Sequence, residues 1–362
     1  MDNLTNKFFQ LVRFAICEHE NVPQIETGDW EAIYKLARKQ TVAGVVFQAV
    51  LLMGTEASIP RELKMKWLYH VNNIKKRNKL LNRRSSQLVD LFKQDGLDCC
   101  VLKGQGNALM YPDPFVRTSG DIDLQVKGGR EEVLRYVKKR FPQVKTAYQH
   151  VDYPIFKDVM VEIHYLPVYM NNPLFNRRLK TWFDNQPHEL YDHLVDLPDE
   201  AVRIPVPTLE FNVIFQLAHL MHHYLDEGIG LRHILDYYYL LRKVHDSKIS
   251  VDNLQLKLKK FGLCHFAGAV MYIMHEMLGL DNEFLLVSID KNRGRRLLAE
   301  IMLGGNMGKF SGLTDHSLFT KHLLKYWRIL HLISDYPSEA MCEPIFRTWH
   351  YFWRKKNSRA AF

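Results

Sequence analysis

The run Val116-Arg117-Thr118-Ser119-Gly120-Asp121-Ile122-Asp123-Leu124-Gln125-Val126 constrains this chain more than any other stretch. Asp121 and Asp123 alternate with Ile122 and Leu124, the pattern of a half-buried strand. Residues i and i+2 of a strand share a face, so the two carboxylates stand side by side. Like charges held that close repel, which raises one pKa. A divalent cation relieves the repulsion, and Mg²⁺ takes hard oxygen ligands while needing few of them from protein. Ser119-Gly120, just ahead of the pair, lets the backbone approach a ligand closely.

Such a site needs a scaffold, and the chain is long enough to supply one. Its 362 residues imply two or three domains, or one core with helical additions. Apolar content of 47% with 25% charged residues is that of an ordinary globular protein and excludes disorder. The net charge of +9 fits a polyanionic ligand such as a nucleoside triphosphate or RNA, but does not demand one. Cys17, Cys99, Cys100, Cys264 and Cys342 form no C-x-x-C pair, which argues against zinc knuckles and thioredoxin-type redox sites. No basic leader precedes an apolar core at the N-terminus, and no apolar run reaches membrane-spanning length. A cytoplasmic protein with no membrane span is the expectation.

The hydrophobic period divides the chain into three. Residues 1–95 read as an N-terminal helical domain, with Asp29 as an N-cap and a long helix from Pro60 to Phe92. Residues 96–206 change to strands. These are Leu97–Leu102, the aspartate strand, Tyr153–Lys157 and Val159–Tyr165, with an amphipathic helix over Arg130–Arg140. In the last strand Met160, Glu162 and His164 share one face. Residues 207–362 return to helix, including a Thr208-capped helix and helices over Leu231–Val244 and Leu318–Ile333, before a frayed Arg354-Lys355-Lys356 tail. The fold class is α+β, with a small mixed sheet between N-terminal helices and a C-terminal helical bundle.

Three pieces combine chemically. The first strand ends in Lys103-Gly104, the next carries Asp121 and Asp123, and a later one carries Glu162. Three carboxylates on neighbouring strands match metal-assisted phosphoryl or nucleotidyl transfer, in which ions clamp the attacking and leaving oxygens. Asp121 and Asp123 would hold the metal. Glu162 would add the third ligand and help deprotonate an attacking hydroxyl. Lys103 and Arg117 could neutralise triphosphate charge, Arg117 with a forked pair of hydrogen bonds, and Gly104, Ser119 and Gly120 would border the nucleotide.

Val101-Leu102-Lys103-Gly104, Met110-Tyr111-Pro112, Arg117–Leu124 and Val161-Glu162-Ile163-His164 together resemble the uncharacterised bacterial nucleotidyltransferase family of the polymerase-β-like superfamily. His219-Leu220-Met221-His222 and Leu231-Arg232-His233-Ile234-Leu235-Asp236 are similar to that family's His-containing helix and Leu-Arg-x-x-x-Asp element. The resemblance covers roughly residues 25–280. It implies transfer of a nucleoside monophosphate from an NTP, with Mg²⁺ or Mn²⁺. The acceptor is unknown: a small molecule, a sugar, a peptide or a protein. Gln105 follows Gly104 where the superfamily often has Ser, so a phosphate-binding hydroxyl is missing there and Ser119 or the Arg117 loop must replace it.

Two alternatives follow. One is a catalytically degenerate module that binds a nucleotide or a partner chain. The other is an RNA-directed or antitoxin-like transferase, motivated by the net charge; the basic run Lys75–Arg84 reads as a solvated helix face in preference to an RNA-binding one, because no RNA-binding motif accompanies it. His164, His219, Arg232 and Asp236 are expected to line an acceptor cleft, with an intrahelical Arg232–Asp236 ion pair as the simpler reading. His219 and His223 share a helix face, but the Glu of H-E-x-x-H is absent, so packing is preferred to zinc.

Overall fold

The computed structural model describes residues 2–17, 21–306 and 328–359. Helices α1 (Asn3–Ile16), α2 (Trp30–Lys39), α3 (Ala43–Met53) and α4 (Arg61–Gln94) come first, and α4 runs the length expected from Pro60 onward. Asp29 does not cap α2 with its side chain; it ends a short 3₁₀ turn and instead pairs with Lys7 at 2.5 Å.

The sheet follows. Strand β1 (Cys99–Val101) leads through α5 (Gln105–Ala108) to β2 (Ile122–Val126), and α6 (Gly129–Arg140) leads to β3 (His150–Asp152) and β4 (Val161–His164). The strand order is β1-β2-β4-β3. The β2–β4 pair is parallel and both outer pairs are antiparallel, so the sheet is mixed. The strand expected over Tyr153–Lys157 lies instead at His150–Asp152. Pro154 has no N–H for the ladder, and pairing stops just before it.

Register then decides which side chains meet. Asp123 lies beside Glu162 and Gln125 beside His164, while His150 faces His164 and Asp152 faces Glu162. Cross-strand partners project to one side, so this face of the sheet is polar. The other carries Ile122, Leu124, Val151, Val161 and Ile163, which pack on Leu81, Leu88 and Phe92 of α4 and on Val133 and Val137 of α6.

After α7 (Pro173–Asp184) and α8 (Pro187–Tyr191), a two-stranded ribbon of β5 (Leu194–Val195) and β6 (Ile204–Pro205) precedes the helical half. That half contains α9 (Leu209–Asp226), α10 (Leu231–His245), α11 (Val251–Lys260), α12 (Cys264–Tyr272) and α13 (Lys291–Gly304). Thr208 caps α9 through Phe211 N–H, as expected. Of the helix expected over Leu318–Ile333, residues 328–333 are helical and 318–327 lie outside the described residues. Helix continues through the expected frayed tail, over Cys342–Arg359. Among the described residues no helix is long and apolar enough to cross a membrane.

The divisions expected at 95/96 and 206/207 leave α5 to α8 with the sheet, and the buried clusters follow another line. Phe8, Trp30, Phe47 and Trp67 share one core with Phe215, Leu235 and Phe266, so N- and C-terminal helices bury their apolar faces together. The sheet and the second half of α4 form the other core. Helix α3 meets the chain before β2 so closely that a Cβ on Gly44 would lie 2.1 Å from the Val116 carbonyl oxygen. Gly44 thus sets the distance at which the aspartate loop begins.

Candidate active site

The site is assembled on the polar face of the sheet. Asp121 precedes β2, Asp123 lies within it and Glu162 is its partner on β4; ligand oxygens of all three lie within 4.8 Å of one another. Lys103, at the end of β1, reaches across to them, with Nζ 3.1 Å from Asp123 Oδ2. Gly104 then turns the chain at φ +61°, ψ −103°, a conformation that side chains disfavour. A Cβ there would meet only Asp121 O at 3.8 Å, so the demand for glycine comes from the backbone alone. Gly104→Ala is therefore expected to cost about 1–3 kcal/mol of stability, measured by urea unfolding.

The carboxylates differ in electrostatic state. Asp121 is raised above the ordinary carboxylate value, first by the charge of Asp123 and then by burial. Burial also works against ionised Asp123, but Lys103 and a 3.0 Å contact with His164 Nε2 hold it well below the usual range. Burial pushes Glu162 up, yet neighbouring His164 leaves it lowered overall. His164, 1% exposed, would be neutral from burial alone; its contacts with Asp123 and Glu162 raise it. The result is a crowded set of hard oxygen donors with one carboxylate short of compensation, and this set could hold a divalent cation.

His219 is brought to Lys103, with Nε2 3.1 Å from Nζ. Burial, together with the Lys103 charge, holds His219 neutral, so its lone pair accepts from the ammonium. No group of three ligand atoms that could hold a metal includes the His219–His223 pair among the described residues, and the two rings pack edge to face.

Other expected residues take different roles. Arg117 is 4% exposed, and its guanidinium donates from Nε and Nη2 to the two oxygens of Asp236, each at 2.7 Å. Nη1 donates to Ser119 Oγ at 2.8 Å. The fork expected to grip a phosphate instead grips a carboxylate, because α10 presents Asp236 directly to it. Asp236 also accepts from Tyr111, which leaves it no free oxygen for an acceptor. Arg232 does not pair with Asp236 within the helix; it donates to Thr118 O at 2.7 Å. Arg232 and Asp236 thus hold the loop ahead of Asp121 rather than line a cleft. Gln105 is buried and donates to Asn82 on α4.

Helix α4 holds the same loop from the other side. Asn78 donates to the carbonyls of Phe115 and Arg117, Arg77 to those of Gly120 and Asp158, and Lys75 pairs with Asp113. The basic run read as a solvated or RNA-binding face is in large part a loop anchor. Sequence reasoning missed Asn78 and Arg77 because their partners are distant carbonyls, which no side-chain pattern marks. It also missed His150, whose Nδ1 lies 3.4 Å from Glu162 Oε2. The alternation His150-Val151-Asp152 was the available signal.

Residues 26–279 match the model of a family described as uncharacterised nucleotidyltransferase. The chain belongs to this family. A solved structure similar to this nucleotidyltransferase-family chain is described as an antigenic nucleotidyltransferase-like protein from Paracoccidioides brasiliensis. It is 14% identical, the alignment covers 59% of this chain and 96% of that one, and the TM-score is 0.33. No curated protein matches the chain.

Proposed function

We propose that the chain is a metal-dependent nucleotidyltransferase that moves a nucleoside monophosphate from an NTP to a hydroxyl or phosphate acceptor. The convergence of Asp121, Asp123 and Glu162 beside Lys103 is the observation that carries this reading. Asp121, Asp123 and Glu162 would hold Mg²⁺ or Mn²⁺. Bound ions of this kind supply Lewis-acid charge to the attacking and leaving oxygens.

The remaining work falls to the chain itself. The acceptor oxygen bonds to the α-phosphorus, the α–β phosphoanhydride bond breaks, and pyrophosphate leaves with the electron pair. Glu162 takes the acceptor's proton. Lys103 offers its ammonium to the triphosphate. Gly104, Ser119 and Gly120 border the same approach, and Ser119 keeps its place through Arg117. His164 orients Asp123 and Glu162. The acceptor is a small molecule, a sugar, a peptide or a protein side chain.

Burial of Gln105 favours one competing reading, a module that binds a nucleotide without turning it over. Incubation with each labelled NTP, Mg²⁺ or Mn²⁺ and a cell extract separates the two. Labelled product supports transfer. NTP binding by calorimetry without product supports the binding module. Lys103→Met is expected to weaken NTP binding by about 1.5–3 kcal/mol, and an unchanged affinity would remove Lys103 from the triphosphate site.

A further inference from the structure

We propose that His150, Glu162 and His164 form a second divalent-cation site. It shares Glu162 with the aspartate group and takes an ion that accepts imidazole nitrogen, such as Mn²⁺, Co²⁺ or Zn²⁺. Three edge-ward positions of the polar face create it. The antiparallel β3–β4 register sets His150 directly opposite His164, with Glu162 two residues before His164 on the same side of β4. Glu162 Oε2 lies 3.4 Å from His150 Nδ1 and 3.6 Å from His164 Nε2, and one ligand atom from each residue lies within 4.8 Å of the others; to bind, His164 Nε2 exchanges the proton it shares with Asp123 Oδ1, 3.0 Å away, for the cation. Metal–ligand bonds of about 2.0–2.2 Å require donor separations in this range, so a small inward shift of side chains closes the set.

Unmet bonding supports the same conclusion. His150 Nδ1 is shielded from solvent and has no hydrogen-bond partner, and its 3.4 Å approach to Glu162 lacks hydrogen-bond geometry. A buried ring nitrogen left without a partner is costly, and a cation between it and the carboxylate would satisfy both groups. Two imidazoles with one carboxylate form a softer donor set than Asp121, Asp123 and Glu162. Imidazole suits transition metals, whereas an all-carboxylate set suits Mg²⁺. The face therefore offers two adjoining sites of different chemistry, bridged by Glu162.

Pulsed electron paramagnetic resonance of the full chain loaded with Mn²⁺ alone tests this directly, because it detects ¹⁴N nuclei bound to the ion. Wild type and Asp121→Asn are both expected to show imidazole coupling. His150→Phe is expected to lose the His150 share of that coupling and to bind Mn²⁺ more weakly at this site, because His164 is then its one imidazole. Absence of ¹⁴N coupling in saturated wild type overturns the proposal, and so does coupling that is unchanged in His150→Phe. If His150→Phe fails to fold by circular dichroism, visible absorption of the Co²⁺-loaded wild type decides: intense tetrahedral or five-coordinate bands support the site, and weak octahedral bands overturn it. None of these readouts depends on nucleotide transfer. Failure to find a transferase product leaves this test intact, and a purely oxygen-ligated ion in an active enzyme defeats this proposal alone.

Discussion

Asp121→Asn is expected to lower metal-dependent nucleotide transfer by at least about a hundredfold while leaving the chain as stable as wild type or slightly more so. The two effects share one origin. Asp121 is raised because Asp123 stands beside it, so its ionised form is destabilised until a cation arrives. Asparagine keeps the shape and removes the repulsion along with the charge that would bind the ion. Asp123→Asn is a poorer probe, since Asp123 answers Lys103 and His164 and its change weakens both contacts as well. The sign with pH also distinguishes the residues. A carboxyl whose folded-state pKa is raised destabilises the fold when ionised, and that penalty fades as pH falls through the raised value. Wild type without metal should therefore gain stability relative to Asp121→Asn as pH falls through the raised Asp121 value toward the ordinary Asp value. Thermal melts across that range measure the difference, and parallel profiles would show that Asp121 carries no such penalty. Full activity in Asp121→Asn would remove the aspartate from the metal site.

The carboxylate group was legible because strand alternation and cross-strand register are local and periodic. Asp123 and Glu162 sit on strands whose faces the sequence pattern separates, Asp121 lies just ahead of β2, and pairing of β2 with β4 completes the group. The family was legible from the same residues. The loop was not. Arg117 and Asp236 are separated by 119 positions, and nothing in either neighbourhood announces the other. Arg232, four residues from Asp236, was the nearer candidate in sequence, yet Arg232 reaches Thr118 O and leaves Asp236 to Arg117. Similarly, Lys75, Arg77 and Arg84 read as a charged helix face because their partners, Asp113, Gly120 and Asp158, belong to loops without periodicity. Asn78 is the clearest case: a polar side chain in a helix interior, 1% exposed, whose amide holds two carbonyls of the segment leading to the aspartate strand. Contacts that fix the site's second layer are long-range and often end on backbone, where residue identity carries no signal.

Arg117 supplies the largest expected change in stability. Burial alone would weaken its charge, and the carboxylate of Asp236 more than restores it. Burial would likewise raise Asp236, and Arg117 with its forked hydrogen bonds brings it below the ordinary value. Removing one partner of such a pair leaves a buried charge without an answer. Arg117→Ala should cost about 3–5 kcal/mol, read by urea unfolding. Arg117→Lys keeps the charge but loses the fork to both oxygens and the bond to Ser119, so it should fall between wild type and Ala. Arg117→Met with Asp236→Leu removes both charges and should recover part of the loss. Acid dependence follows from Asp236: the pair's contribution is complete above the ordinary Asp value and disappears as pH falls through the lowered one. A phosphate clamp predicts another ordering. It would leave stability within about 0.5 kcal/mol of wild type and move NTP affinity in both single variants. Stability loss that the double variant partly reverses, with NTP affinity changing only as far as the Ser119 loop loosens, would assign Arg117 to holding the loop in place ahead of Asp121.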